Sequence, residues 1–122
     1  MSGIAEYRSV VLDCPDPGAL AEFYAKLLGW PILSVEEDWA VVSDGGPRLA
    51  FQLAADHQPP RWPDPDHPQQ LHLDLAVDDL DEAEAQTVKI GASKHEHQPS
   101  ADDEFRVFLD PAGHPFCLCR RV

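Results

Sequence analysis

A chain of 122 residues in which 22 Asp and Glu face nine Lys and Arg carries a formal charge of −13. That balance argues against nucleic acid, whose binding needs clustered cations to displace counterions, and against docking on an anionic membrane; no run is long enough to span a bilayer. The length is that of one domain, 43% of the residues are hydrophobic, as in an ordinary globular protein, and three cysteines, an odd number, make no disulfide framework.

Tyr7 to Leu12, rich in Val and Leu, predicts a strand. Asp16 follows as an N-cap with Pro17 in the first helical position, where a missing N–H costs nothing. Ala19, Leu20, Phe23, Leu27 and Leu28 then recur at helical spacing, and Gly29 with Pro31 stops the helix. Ile32 to Val35 and Trp39 to Ser43 read as two strands of a meander. The Asp44-Gly45-Gly46 turn leads into a strand over Arg48 to Leu53. From 56 to 68 the character changes: five prolines make an extended connector that cannot pair within a sheet. Leu71 to Val77 predicts the next strand, and Asp79 with Glu82 a capping-box-like helix start. Leu80, Ala83, Val88 and Ile90 supply a modest apolar face. A strand near Ser93 to His97 precedes a final hairpin, Phe105 to Leu109 and Pro115 to Arg120, across the Asp110 to Gly113 turn.

The plan is written twice. Ser9 matches His72 and Asp16 matches Asp79 at one constant offset, and Gly29 matches Gly91 one residue short of it. The expected organisation is a first βαβββ module over 1–55, a Pro-rich connector over 56–69 and a second βαβββ module over 70–122, all within one domain. Each half alone is too small to be comfortably stable.

On this duplicated frame the sequence resembles the vicinal oxygen chelate superfamily, and more narrowly its glyoxalase-like and bleomycin-resistance-like members. Three segments carry the resemblance: Asp16 to Gly29, with Phe23-Tyr24 and Leu27-Leu28-Gly29; His72 to Leu80; and Asp110-Pro111-Ala112-Gly113-His114-Pro115-Phe116. It implies an α+β fold in which the tandem modules form one open, curved, mixed eight-stranded sheet with a concave pocket, the glyoxalase/dioxygenase-like fold. In metal-dependent members of that superfamily four ligands, usually His, Glu or Gln, line the pocket from the first and last strands of each module. The matching positions here are Ser9 and His72 on the opening strands, seven residues before the capping Asp, and Gln52 and Cys117 on the closing strands, with the register of Gln52 uncertain by one residue. The resemblance also implies that two copies pair as a homodimer.

The chemistry of that set decides between readings. His72 is a good ligand and Gln52 offers a neutral oxygen, but Ser9 is a poor donor and a Cys117 thiolate suits zinc rather than magnesium or manganese. None of the four is a carboxylate. The preferred reading is therefore a metal-free module that binds a small organic molecule through Ser9, Trp39, Gln52, Trp62, His72 and Cys117; sequestration of a cationic drug would suit the charge. The alternative is a divalent-metal-dependent lyase, isomerase or extradiol-type dioxygenase that uses His72 and Gln52 as ligands to zinc, nickel, manganese or iron. A third is a metal-free enzyme with His72 as general base.

Other residues have plainer expected roles. His95 and His97 would share a strand face, with a solvated segment weighing more than a zinc pair; His57 and His67 are expected in solvent; and His114 supports its turn. Cys117 and Cys119 share a face without the second pair that a zinc motif needs. Asp16, Asp79 and Asp110 are caps and turn formers. Trp62, alone in the Pro-rich connector, must bury its ring either over a ligand or against protein, and Trp39 faces cavity or core. The chain starts without the order of charges and apolar residues of a secretory signal, so the expected location is the cytoplasm, with reduced thiols.

Overall fold

The computed structural model describes residues 3–121. The chain forms two compact units that divide between His57 and Gln58. Each holds one βαβββ module and one four-stranded mixed sheet.

The first unit runs β1 (Ser9–Cys14), α1 (Pro17–Leu28), β2 (Ile32–Val35), β3 (Trp39–Ser43) and β4 (Arg48–Leu53), in sheet order β1-β4-β3-β2. β1 begins two residues later than the sequence predicts. The three strands after the helix fall where their alternation and the Asp-Gly-Gly turn place them. The Asp16 carboxylate caps α1 by accepting the Ala19 N–H at 3.1 Å, and Gly29 closes it in the left-handed region at φ 71°, a conformation open to glycine. α1 buries Leu20, Ala21, Phe23 and Tyr24. Tyr24 stacks on Phe51 of β4 at 5.6 Å and meets Phe23 edge-on at 5.0 Å. Both Tyr24 and Phe51 are fully buried, and this stack centres the core of the unit.

The second unit runs β5 (Leu73–Val77), α2 (Leu80–Lys89), β6 (Ser93–Lys94), β7 (Phe105–Leu109) and β8 (Pro115–Arg120), in order β5-β8-β7-β6. Asp79 caps α2 by accepting the Glu82 N–H at 3.1 Å. The helix buries only Leu80 and Thr87. Arg106 of β7 ties α2 to the sheet by donating to Asp81, Glu84 and Asp103 at 2.7–3.1 Å. On the helix side of the sheet Phe108 stacks on Phe116 at 5.8 Å.

Two expectations are corrected in this unit. The strand near Ser93 to His97 is cut to two residues because Gln98 takes over its ladder. The Gln98 side-chain amide donates to the carbonyls of His95 and Val107 and accepts the Val107 N–H at 2.9 Å, so beyond the last backbone bond, His95 N–H to the Val107 carbonyl at 3.0 Å, a side chain satisfies the β7 edge. The connector is not an extended link. Arg61 N–H donates to the His67 carbonyl at 2.6 Å, Asp64 N–H to Arg61, and the Asp64 carboxylate accepts the Asp66 N–H, which closes residues 61–67 into a compact loop. From Gln58 onward this loop belongs to the second unit. It rests on the final hairpin at one tight point: a Cβ on Gly113, at φ 91°, would lie 2.6 Å from Pro59 Cβ. Glycine at 113 is thus required by both backbone conformation and space.

Candidate functional site

Strand alternation sorts the second sheet into two faces. Arg106, Phe108, Phe116 and Leu118 serve the helix side. Phe105, Val107, Pro115, Cys117, Cys119 and Asp74 share the other side through the β5-β8-β7 register, in which Asp74 pairs with Cys117 and Cys117 with Val107. His72 stands one residue before β5 and continues this face.

A cleft of about 170 Å³ lies on it. Its floor is Phe105, Val107, Pro115, Cys117 and His72. Trp62 from the connector, Gln69 and Pro99 raise its walls. Trp62 is held from outside by two imidazoles, His95 at 5.4 Å and His97 at 5.0 Å between ring centroids. The His95 ring is itself fixed, because its Nδ1 accepts the His97 N–H at 2.9 Å. The two histidines weighed as a strand pair thus act together as a buttress for the tryptophan.

At the polar end, His72 Nε2 lies 3.3 Å from Asp74 Oδ1. His72, Asp74 and Cys117 present a nitrogen, an oxygen and a sulfur atom within 4.8 Å of one another. Burial, followed by the neighbouring Asp74 carboxylate and Cys119, pushes the Cys117 thiol up to about 12. Cys119 is raised by the same causes, burial first and then Asp74. Both thiols are therefore protonated at neutral pH and neighbour the Asp74 carboxylate.

The donor chemistry fits a borderline ion of the zinc type: one imidazole, one carboxylate and one thiol, with room for an exchangeable position. Such an ion would have to displace the Cys117 proton on binding. The carboxylate absent from the four positions read in the sequence is supplied by Asp74, two residues along the same face from His72. The signal was present as His72-x-Asp74 at the period of a strand.

Of the predicted site residues, Trp62, His72 and Cys117 converge on this cleft. In the first unit Ser9, Gln52 and Trp39 share one sheet face. Gln52 pairs with Asp13 and Trp39 as cross-strand neighbours, whereas Ser9 pairs with Arg48 four residues away, about 13 Å along the strand. The structure does not bring Ser9 and Gln52 together. The ladders also correct the placement of Gln52. Leu49 pairs with Val10 as Phe116 pairs with Leu73, so the counterpart of Cys117 is Ala50, and Gln52 corresponds to Cys119. Beside Ser9, an open depression of about 420 Å³ is lined by Glu6, Tyr7, Arg8, Gly46 and Arg48. The cleft residues missed in the sequence are Gln69, Pro99, Pro115, Phe105 and Val107. The last two were accessible by stepping across the final hairpin from Cys117.

Asp110 has the turn-forming role expected of it: its buried carboxylate accepts the N–H groups of Ala112 and His114 at 2.8 and 3.0 Å. Among the described residues no helix is long and apolar enough to cross a membrane, and Cys14, Cys117 and Cys119 are not in disulfides.

Comparison with known proteins agrees with this architecture. A glyoxalase/bleomycin resistance protein/dioxygenase family enzyme from Burkholderia phytofirmans PsJN superposes with a TM-score of 0.73 at 15% identity, covering 97% of this chain and 100% of that one. A glyoxalase family protein from Enterococcus faecalis gives 0.69 at 21% identity, covering 95% and 98%. A bleomycin-binding protein from Streptomyces verticillus, solved with copper(II)-bleomycin, gives 0.61 at 19% identity, covering 98% and 100%. No curated protein sequence matches the chain. The family model described as glyoxalase-like domain matches residues 9–119. The duplicated βαβββ plan, the two mixed sheets and this match together make the chain a member of the glyoxalase-like domain family, within the vicinal oxygen chelate superfamily.

Proposed function

We propose that the protein binds a small organic molecule in the cleft of its second module and needs no catalytic metal to do so. The observation that carries this reading is the convergence of Trp62, His72 and Cys117, drawn from three separate segments, on one apolar cleft with a single polar end. Apolar walls with a few directed polar groups are the usual make-up of a small-molecule site. The Streptomyces verticillus relative, solved with a metal-bound drug, supports binding as a role for this fold. Two copies pair as a homodimer in this reading. Its support is β2, an edge strand whose Ile32, Leu33 and Val35 are all exposed. Three cysteines outside disulfides accord with a reducing compartment such as the cytoplasm.

The reading is tested by thermal-shift screening of the purified chain against small aromatic and aliphatic compounds, since a ligand of the native state raises the Tm. Stabilising hits that vanish in Trp62→Leu support it. A screen without hits, or hits untouched by Trp62→Leu, refutes it.

A second reading is favoured by one observation, the His72, Asp74 and Cys117 cluster. In it these residues hold a divalent ion, zinc-like by its donors, in a lyase, isomerase or dioxygenase. The ion would supply Lewis-acid polarisation of a substrate oxygen, while Trp62 and Phe105 orient the substrate. Stoichiometric metal in the purified protein, lost in His72→Ala, would decide for this reading.

A further inference from the structure

The cleft sorts ligands by size, shape and charge, and named residues set each criterion. Its volume of about 170 Å³ is on the scale of the roughly 150 Å³ cavity known to hold benzene, so one ring fills it. Two aromatic side chains, Trp62 and Phe105, line it, and Trp62 is braced by His95 and His97, an environment that favours a flat ring. Its charge preference follows from two facts. No Lys, Arg, Asp or Glu is among the lining residues, so the nearest carboxylate outside them sets the sign. The Asp74 carboxylate sits against His72 at 3.3 Å with its side chain 65% exposed, directly across the ladder from Cys117.

We propose that the cleft selects a monocyclic aromatic ring bearing a protonated amine, with the ring against Trp62 and the ammonium on Asp74. This rests on the reading of the cleft as a ligand site and names its ligand class. An ammonium offers three donors, and Asp74, just outside the lining and within 4.8 Å of the His72 and Cys117 ligand atoms, supplies a charge-assisted acceptor at that rim. The aromatic wall also favours a cation at its face. A ligand carboxylate in the same pose would meet Asp74 and no compensating cation, so anionic isosteres are rejected.

Three probes of nearly equal size test this by calorimetry on the full chain: benzylamine, benzyl alcohol and benzoate. Benzylamine should bind about tenfold more tightly than benzyl alcohol, as a charge-assisted hydrogen bond predicts, and benzoate should show no binding. Asp74→Asn should bring benzylamine down to the level of benzyl alcohol. Asp44→Asn, which removes the same charge from an exposed turn in the first unit, should leave the difference intact and so controls for net charge. Equal affinities for benzylamine and benzyl alcohol, or a preference for benzoate, would overturn the charge assignment while leaving the ring site standing. An Asp44→Asn effect as large as that of Asp74→Asn would overturn it as well. Absence of binding by all three probes would remove the ligand-site reading with it.

Discussion

The two modules share a backbone plan down to strand register, yet they are stabilised and equipped differently. In the first, a long apolar helix presses Tyr24 onto Phe51, and the matching sheet positions carry Ser9, Val11 and Ala50. In the second, α2 buries little, and an arginine held by three carboxylates does part of the joining. The equivalent positions there carry His72, Asp74 and Cys117. A duplicated frame has kept its hydrogen-bonded ladders while the first copy carries the stronger hydrophobic core and the second the candidate chemistry. Local order and site chemistry are thus separable properties of the same topology.

Four measurements would break or sharpen that contrast. The largest effect is expected in the first core: Phe51→Ala should destabilise by about 3–5 kcal/mol in urea melts, against about 2 kcal/mol for Leu80→Ala in the second module. Equal losses would erase the asymmetry. Next is alkaline pH. The Cys117 thiol is raised from its ordinary 9.0 to about 12 in the fold, so its contribution is fully present below pH 9 and is lost as pH rises towards 12. The expected slope is about 1.4 kcal/mol per pH unit for the one proton, and Cys117→Ala should flatten it. Third, Asp74→Val places in the second module the residue that the first has at Val11. It should abolish the preference for the amine. Alkylation followed against pH should show the Cys117 thiol moving down while staying above its ordinary value, because burial is its larger cause. The smallest effect is at Arg106. Arg106→Gln should lower the Tm by a few degrees, and the difference should shrink in high salt as the exposed carboxylates are screened.

Much of this architecture was legible in the sequence because its signals are local. Asp16 with Pro17, Asp79 with Glu82, and the Asp-Gly-Gly turn each act within four residues. Alternation then places β2, β3, β4, β7 and β8 at their observed limits. What escaped was set by side chains that replace backbone or cross between strands. Gln98 shortened β6 by bonding Val107, nine residues away, and no propensity encodes that. Asp74 lies outside the four ligand positions that the resemblance implies, two residues beyond His72 on the same strand face. Gln52 was placed two residues too far along its strand: the four-residue step that leads from Gly113 to Cys117 leads from Gly46 to Ala50, and the ladder pairing agrees.

The close seat of Pro59 on Gly113 gives the connector a fixed origin three residues before Trp62. The chain between them then works as a caliper, with one jaw on the final hairpin and the other the indole. Residues added near 64–66 would lengthen an outer loop and leave the jaws where they are. A single residue added between 59 and 62 would reset the gap, and the size of ligand admitted would change although every residue lining the cleft kept its identity.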